Sequence, residues 1–237
     1  VEGPAPIYDL FKKYNIDSLN RLLRIAKECG VKHTVVLGSY FSYFAKEWPQ
    51  MRLTEYHPYI RSRIDQEKMA LGYARPDFDV AILELPYIFG TQPGRKPVWV
   101  FLVENIRSMK GITMWPKGGS TMVTVKQVGQ AIAGALERNQ GGNCYPIGWY
   151  DLSWKEMLRI CHKYLGCPEK KIVTIPNWMY AIGGKKLKKE QQQKGIEGGL
   201  DMVKFTDLQC SNQFIDKSLG CVPLGVKEDD IDAAIGD

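Results

Sequence analysis

A tyrosine and an arginine four residues apart are the side chains of this sequence best suited to chemistry. Tyr59 and Arg63 belong to the run Tyr59-Ile60-Arg61-Ser62-Arg63, and their spacing places both on one face of a helix. Because a permanent cation beside a phenol favours the ionised phenol, the pair is typical of a tyrosine that acts as an acid or a base. The spacing also fits a structural alternative, in which Tyr59 packs at a helix start and Arg63 pairs with a surface acid.

Hydroxyl side chains cluster shortly before this pair. The run Gly38-Ser39-Tyr40-Phe41-Ser42-Tyr43 closes a short apolar and β-branched segment, residues 32–38. A segment of that kind is typical of a strand buried on both faces in a parallel sheet. The hydroxyls should therefore emerge at the carboxyl edge of the sheet, where open α/β folds bind ligands.

The elements that would position these residues alternate between helix and strand. Apolar residues recur at helical spacing before Gly30 and again before Gly72, and Pro58 suits the first turn of the second helix. The first part of the chain is predicted to contain a helix over 16–29, a strand over 32–38, a loop over 45–58, a helix over 59–71 and a strand over 79–85. This alternation predicts an α/β fold with a parallel sheet and right-handed crossovers.

The second part of the chain is less regular. We predict helices over 98–109, 128–136 and 153–165, strands over 112–115, 144–147 and 171–175, and a helix over 176–195 that is broken at Gly183-Gly184. The helix start at Ser153 is the best defined of these, because Ser153 and Glu156 form the pattern of a capping box.

Composition and charge narrow the function classes. The chain has 237 residues, of which 44% are hydrophobic and 24% charged, the balance of a globular protein. No segment approaches the ~20 apolar residues of a membrane helix, so we expect no membrane partner. The lysines within 185–194 lack interleaved aromatic residues, which favours a solvated helix face and no nucleic-acid partner over RNA binding.

The six cysteines have no zinc-ligand or CxxC spacing, so we expect reduced thiols, no metal and a cytoplasmic location.

In their order along the chain, several segments resemble the extended short-chain dehydrogenase/reductase family, the NAD-dependent sugar epimerases and dehydratases. The family's helix and strand with a serine-rich end resemble NRLLRIAKECGVKHTVVLGSYFSYF, its YxxxK helix resembles HPYIRSRIDQEK, and its strand before a nicotinamide-contacting proline resembles AILELPYIFG. Later segments of its substrate-side half are similar to MVTVKQVGQAIAGALE and CYPIGWYDLSWKEML. Their order over most of the chain makes the resemblance fairly specific.

The resemblance implies a role for each matched residue. Tyr59 would be the catalytic acid or base, Arg63 would take the place of the lysine that holds the nicotinamide ribose, and Ser39 or Tyr40 would steady the substrate oxygen. The residues implied to border NAD or NADP are Leu37, Gly38, Ser39, Tyr59, Arg63, Pro86, Tyr87 and Ile88. Contacts with the substrate would come from Ser42, Phe89 and Arg95.

The sequence departs from the family pattern at the site itself. Arg63 keeps the charge of the lysine that it replaces, but its planar group has another geometry and does not shuttle protons. Tyr40 stands where a serine or threonine is usual, so Ser39, Ser42 or the hydroxyl of Tyr40 itself would have to substitute. Glu84 stands where an arginine is common.

The family's Gly-x-x-Gly-x-x-Gly phosphate-binding turn has no counterpart before Tyr59. We therefore expect the N-terminal nucleotide-binding part to be missing, with 1–92 as the remainder of a Rossmann-like dinucleotide-binding domain. Residues 93–237 would be mainly a smaller α/β substrate-binding region that can return one strand to the main sheet. The chain alone would then lack bound cofactor or pair with a lost N-terminal segment.

The resemblance as a whole implies an NAD(P)-dependent oxidoreductase or epimerase/dehydratase. Its substrate would be a nucleotide sugar or a similar alcohol or carbonyl compound, and a homodimer is compatible with it. The alternative is a non-catalytic dinucleotide-binding or regulatory relative of the same fold, which the replaced lysine and the altered serine would favour.

Overall fold

The computed structural model describes residues 2–237 as a mixed α/β fold. Its helices are α1 Ile7–Phe11, α2 Ser18–Glu28, α3 Tyr40–Glu47, α4 Leu53–Tyr56, α5 Pro58–Leu71, α6 Val100–Ser108, α7 Val125–Arg138, α8 Trp154–Tyr164, α9 Asn177–Gln193, α10 Phe205–Gln209 and α11 Ile231–Gly236. Its strands are β1 Glu2–Pro4, β2 His33–Leu37, β3 Asp79–Glu84, β4 Tyr87–Phe89, β5 Ile112–Pro116, β6 Gly119–Thr124, β7 Gly142–Pro146, β8 Tyr150–Ser153, β9 Lys171–Ile175, β10 Ile196–Gly198 and β11 Asn212–Gln213.

A parallel three-stranded sheet in the order β2-β3-β7 forms the first layer. The alternation of the central strand β3 explains how both of its faces are covered. Ala81 and Leu83 pack against α7 on one face, while Val80 and Ile82 pack against α2 and α5 on the other. The α/β fold with a parallel sheet is therefore confirmed, and β7 reaches this sheet from the second half of the chain. The division at residues 92 and 93 stays a prediction.

A second sheet is built around β6, all of whose residues are buried. Strands β4 and β11 pair with it in parallel and β8 pairs antiparallel. Only Leu85 and Pro86 separate β3 of the first sheet from β4 of the second, so the chain passes from one sheet to the other at the carboxyl edge of β3. Two smaller pairs, β5 with β9 and β1 with β10, complete the strands of residues 2–237.

Most of the predicted elements are confirmed within a few residues, and two predictions are wrong. Residues 45–58 are not a loop, because α3, a 3-10 turn at Pro49–Met51 and α4 occupy most of them. The helix predicted to break at Gly183-Gly184 is continuous as α9. A Cβ at position 184 would lie 2.7 Å from the carbonyl oxygen of Met202. Glycine at this position therefore allows α9 to lie close to the Met202 backbone and does not break the helix.

The predicted capping box at the start of α8 is confirmed in both of its hydrogen bonds, since the Ser153 side chain accepts from the Glu156 amide and the Glu156 side chain accepts from the Ser153 amide. No helix within residues 2–237 combines the length and the apolar character needed to cross a bilayer.

Candidate active site

A cleft of about 500 Å³ opens where the chain passes between the two sheets. It is lined by Leu37, Gly38, Ser39, Tyr40, Phe41, Tyr59, Arg63, Leu85, Pro86, Tyr87, Ile88, Trp99, Leu200 and Phe205. These residues come from the end of β2 and the start of α3, from the first turns of α5, from the β3–β4 connection, and from two later segments. The cleft therefore lies at the carboxyl edge of the parallel sheet, where the sequence placed the hydroxyl cluster.

The turn after β2 brings the hydroxyl cluster to the cleft. Gly38 donates its amide to the carbonyl oxygen of Leu83 at 2.8 Å, and Tyr40 donates to that of Leu85 at 3.0 Å, which ties the turn to the end of β3. A Cβ on Gly38 would lie 3.1 Å from Cγ2 of Ile82 and 3.2 Å from the carbonyl oxygen of Leu83. The close packing of the turn on β3 thus favours glycine at position 38.

Tyr59 and Arg63 lie on one face of α5, as their spacing predicted. Pro58 is the first residue of the helix, so Tyr59 lies in its first turn, and the Arg63 guanidinium lies over the Tyr59 ring at 5.2 Å from its centroid. Nη1 of Arg63 donates to Oε1 of Gln66 at 2.9 Å and more weakly to the carbonyl oxygen of Leu37 at 3.5 Å. Within residues 2–237, Nε of Arg63 is buried with no hydrogen-bond partner. The guanidinium therefore contacts the ring face and retains an unused donor.

The two candidate hydroxyls beside Tyr59 have different surroundings. The hydroxyl of Tyr40 donates to Oε1 of Gln213 at 2.9 Å and accepts from Oγ of Ser120 at 3.1 Å. Burial raises the pKa of Tyr40 well above its ordinary value. Ser39 caps α3, and its Oγ accepts from the amide of Phe41 at 3.4 Å, which leaves its proton available for donation. Ser39 is therefore the better placed of the two to donate to a ligand in the cleft.

The structure brings most of the sequence-predicted residues together. All eight residues implied to border the cofactor line the cleft, and so does Tyr40. The three implied to contact substrate do not line it. Ser42 is fully buried beside Glu67 on the inner side of α3, Phe89 alternates away on β4 into the core around Trp154, and Arg95 lies in an exposed turn.

Sequence reasoning missed several aromatic and apolar residues of the lining. Trp99 stacks on Tyr87, with ring centroids 4.5 Å apart and planes 6° apart, and its Nε1 donates to the carbonyl oxygen of Ile88 at 2.7 Å. Leu200 and Phe205 arrive from a distant segment, which is held at the cleft by the hydrogen bond from the Tyr59 amide to the Gly199 carbonyl, 2.9 Å. No local pattern in the sequence marks these residues, because their contacts are tertiary.

A charge cluster with two buried carboxyl groups lies directly behind the cleft. Nζ of Lys46 on α3 reaches Oε1 of Glu84 on β3 at 2.7 Å and Oε2 of Glu67 on α5 at 3.2 Å. The pKa of Glu84 is raised to about 7, chiefly by burial and secondly by the charge of the neighbouring Glu67; burial also raises the pKa of Glu67. One lysine thus serves two buried carboxyl groups, and it joins the three elements that carry the cleft walls.

Comparisons with known proteins establish the fold. No protein-family model matches this chain. No curated protein matches it in sequence. Among solved structures, gox2253 superposes with a TM-score of 0.72 at 18% identity, over 98% of this chain and 72% of its own. PA4631 of Pseudomonas aeruginosa, a nucleoside-diphosphate-sugar epimerase, does so with 0.66 at 13% identity, over 95% of this chain and 71% of its own.

A third structure, the Bordetella bronchiseptica enzyme WbmG in complex with NAD, superposes with a TM-score of 0.63 at 13% identity, over 99% of this chain and 66% of its own. These superpositions show that the chain shares the α/β fold of these proteins, with parallel sheets.

Proposed function

We propose that this chain forms the nicotinamide-side part of an NAD- or NADP-dependent oxidoreductase or epimerase/dehydratase. Its substrate would be a nucleotide sugar or a similar alcohol or carbonyl compound. The observation that supports this most strongly is the meeting of Tyr59, Arg63 and Ser39 in one cleft at the carboxyl edge of a parallel sheet. Two proteins of the same fold support the cofactor class, since WbmG binds NAD and TunA is an NAD-dependent dehydratase of NDP-hexosamine.

The residues of the cleft fit the nicotinamide half of such a cofactor. Pro86, Tyr87 and Ile88 offer an apolar wall to a planar ring, and Nε of Arg63 is a buried donor without a partner within residues 2–237, suited to a ribose hydroxyl. A bound nicotinamide supplies or accepts a hydride. The outer edge of β2 has no strand neighbour within residues 2–237, so we propose that a further segment covers this edge and holds the rest of the dinucleotide.

In this proposal the protein's own side chains manage the proton and the substrate oxygen. Tyr59 takes the proton of the substrate hydroxyl or returns it to the carbonyl oxygen. The Arg63 guanidinium contacts the face of the Tyr59 ring, and the Ser39 hydroxyl donates a hydrogen bond to the same substrate oxygen. A cytoplasmic location and a homodimer belong to the same proposal.

Replacing the tyrosine tests this role. Tyr59→Phe keeps the ring in place and removes the hydroxyl, so turnover of NADH or NADPH should fall about 10²- to 10⁴-fold, the usual contribution of a general acid or base. Tyr14→Phe is the matched control, because Tyr14 is 61% exposed and lies outside the cleft. Turnover that survives Tyr59→Phe would refute the assignment.

A second function, binding of a dinucleotide without catalysis, is favoured by one observation. Arg63 contacts the face of the Tyr59 ring and donates to Gln66, an arrangement that can stabilise the cleft as a binding surface alone. Isothermal titration with NADH, done on the protein that also carries the segment completing the dinucleotide site, separates the two functions when it is combined with turnover assays. Binding that Arg63→Met weakens, together with the absence of turnover for every alcohol and carbonyl compound tried, would support the non-catalytic function.

A further inference from the structure

The composition of the cleft wall narrows the substrate class, an inference that rests on the proposed function. We propose that the compound held against Tyr59 is a ketone, or the corresponding secondary alcohol, that carries an aromatic ring, and that Trp99 is the side chain that selects it. A polyhydroxylated sugar ring is the competing occupant.

Aromatic rings from separate parts of the chain line the cleft together with Tyr59. Phe41 lies edge-on to Tyr59 at 6.4 Å between centroids and edge-on to Phe205 at 5.7 Å. Elsewhere in the lining, Trp99 stacks on Tyr87 at 4.5 Å. If a nicotinamide ring occupies the wall at Pro86 to Ile88, the rings of Phe41, Trp99 and Phe205 remain for the substrate. Edge-to-face and stacked contacts of this kind favour a planar apolar group.

The polar side chains of the cleft are too few for a sugar. Beside the hydroxyl of Tyr59, the polar side chains of the lining are Ser39, Arg63, Tyr40 and Tyr87. The Tyr40 hydroxyl is already bonded to Gln213 and Ser120, and Nη1 of Arg63 is directed at Gln66 and Leu37. A hexose ring carries several hydroxyl groups, and each one that is buried without a partner costs about 1 to 3 kcal/mol. A site with this lining discriminates against such a ring and in favour of an apolar one.

The charges around the cleft also disfavour a diphosphate group. Arg63 is the one charged side chain that lines the cleft within residues 2–237. Lys96 faces Glu104 at 3.9 Å on a separate exposed segment. Around Trp99 the surface is instead apolar, with Val98 76% and Phe101 61% exposed, and exposed apolar groups beside a cleft are typical of a binding surface for an apolar ligand.

The test uses the full chain with acetophenone, 1-phenylethanol and UDP-glucose as probes. Saturation-transfer NMR should show the phenyl protons of 1-phenylethanol in contact with the protein and no comparable signal from UDP-glucose. Trp99→Ala should weaken binding of 1-phenylethanol about fivefold to tenfold, the scale of one aromatic contact. The matched control, Trp178→Ala, removes a tryptophan that is 62% exposed outside the cleft and should leave binding unchanged. Trp99→Phe keeps a ring and should retain most of the affinity if Trp99→Ala does not fold.

Two readouts separate this inference from the function on which it rests. Binding of UDP-glucose in preference to 1-phenylethanol, or equal losses in Trp99→Ala and Trp178→Ala, would overturn the substrate class even if a sugar nucleotide were turned over. If Trp99→Phe loses as much affinity for 1-phenylethanol as Trp99→Ala does, the proposed role of Trp99 would also be overturned. If the aryl probe binds through Trp99 but the protein that also carries the segment completing the dinucleotide site turns over neither NADH with acetophenone nor NAD with 1-phenylethanol, and the same holds for NADP and NADPH, the proposed function fails while the ring selectivity stands.

Discussion

The cleft and the charge cluster behind it are adjacent but have opposite chemistry. The cleft wall consists mainly of aromatic and aliphatic side chains with a few hydroxyl groups, whereas the charge cluster pairs the half-exposed Lys46 with the buried carboxyl groups of Glu67 and Glu84. Gly38 separates the two, because the place of its absent Cβ lies 3.7 Å from Oε1 of Glu67. Under the proposed function the two regions have separate roles: the hydroxyl groups face a ligand, while the ion pairs of Lys46 with Glu67 and Glu84 hold α3, α5 and β3 together.

The largest effect should come from the pH dependence of the cluster. The pKa of Glu84 is raised to about 7 in the folded protein, above its unfolded value of about 4.3. The stability due to the protonated carboxyl is therefore fully present below the unfolded pKa and is lost as the pH rises through 7. The free energy of unfolding should fall by about 3 kcal/mol between pH 4.5 and 8 from this group. Urea denaturation across that range should show a much flatter curve for Glu84→Gln. An equally steep curve in the variant would show that a group other than Glu84 causes the pH dependence.

Removing the shared lysine should have the next largest effect. Lys46→Met leaves two buried carboxyl groups without their cation, and we expect a loss of about 2 kcal/mol in the free energy of unfolding at pH 8, less than for a fully buried pair because the lysine is half-exposed. The loss should shrink at pH 5, where the carboxyls take up protons. Lys12→Met removes an ion pair that is exposed on both sides and serves as the control. Similar losses in both variants would show that the cluster does not hold these elements.

On the cleft side, the hydroxyl of Tyr40 should matter for stability more than that of Ser39. Tyr40→Phe leaves the buried Oε1 of Gln213 without its donor, which should cost about 1.5 kcal/mol. Ser39→Ala removes the capping hydrogen bond from the Phe41 amide to the Ser39 Oγ, which is 3.4 Å long, and should cost about 0.5 kcal/mol. Thermal denaturation of the two variants measures the difference, and the reverse order would contradict the separation of their roles.

A further small effect concerns Gly38, the residue that lies between the two regions. Gly38→Ala forces a Cβ against Ile82 and the Leu83 carbonyl, and we expect a loss of about 1 kcal/mol. Gly183→Ala is the matched control, because nothing lies within 4 Å of a Cβ in this helical position and alanine favours the helix. Denaturant unfolding should therefore show changes of opposite sign, and a stabilising Gly38→Ala would contradict the close packing of the turn.

The parts of the fold that could be predicted from the sequence are those with a local cause. Strand β3 is apolar throughout its centre, Pro58 begins α5, and the box of Ser153 and Glu156 begins α8. Most of the predicted cleft residues lie directly after a strand or at the start of α5. Three short segments of sequence were therefore enough to predict that they lie close together. The rest depends on contacts between distant residues. Nothing near Trp99 indicates that it stacks on Tyr87, and the pairing of Lys46 with Glu67 and Glu84 requires two helices and a strand to be packed together.

A kinetic double-variant cycle of Tyr59→Phe and Ser39→Ala tests the central claim, that both hydroxyl groups act on one substrate oxygen in the cleft. Each single variant should lower the single-turnover rate of hydride transfer, Tyr59→Phe by the larger factor. Because groups that act as a unit are not additive, the double variant should be about as slow as Tyr59→Phe alone. Effects that multiply in full, or a Tyr59→Phe rate equal to that of the unaltered protein, would contradict the account.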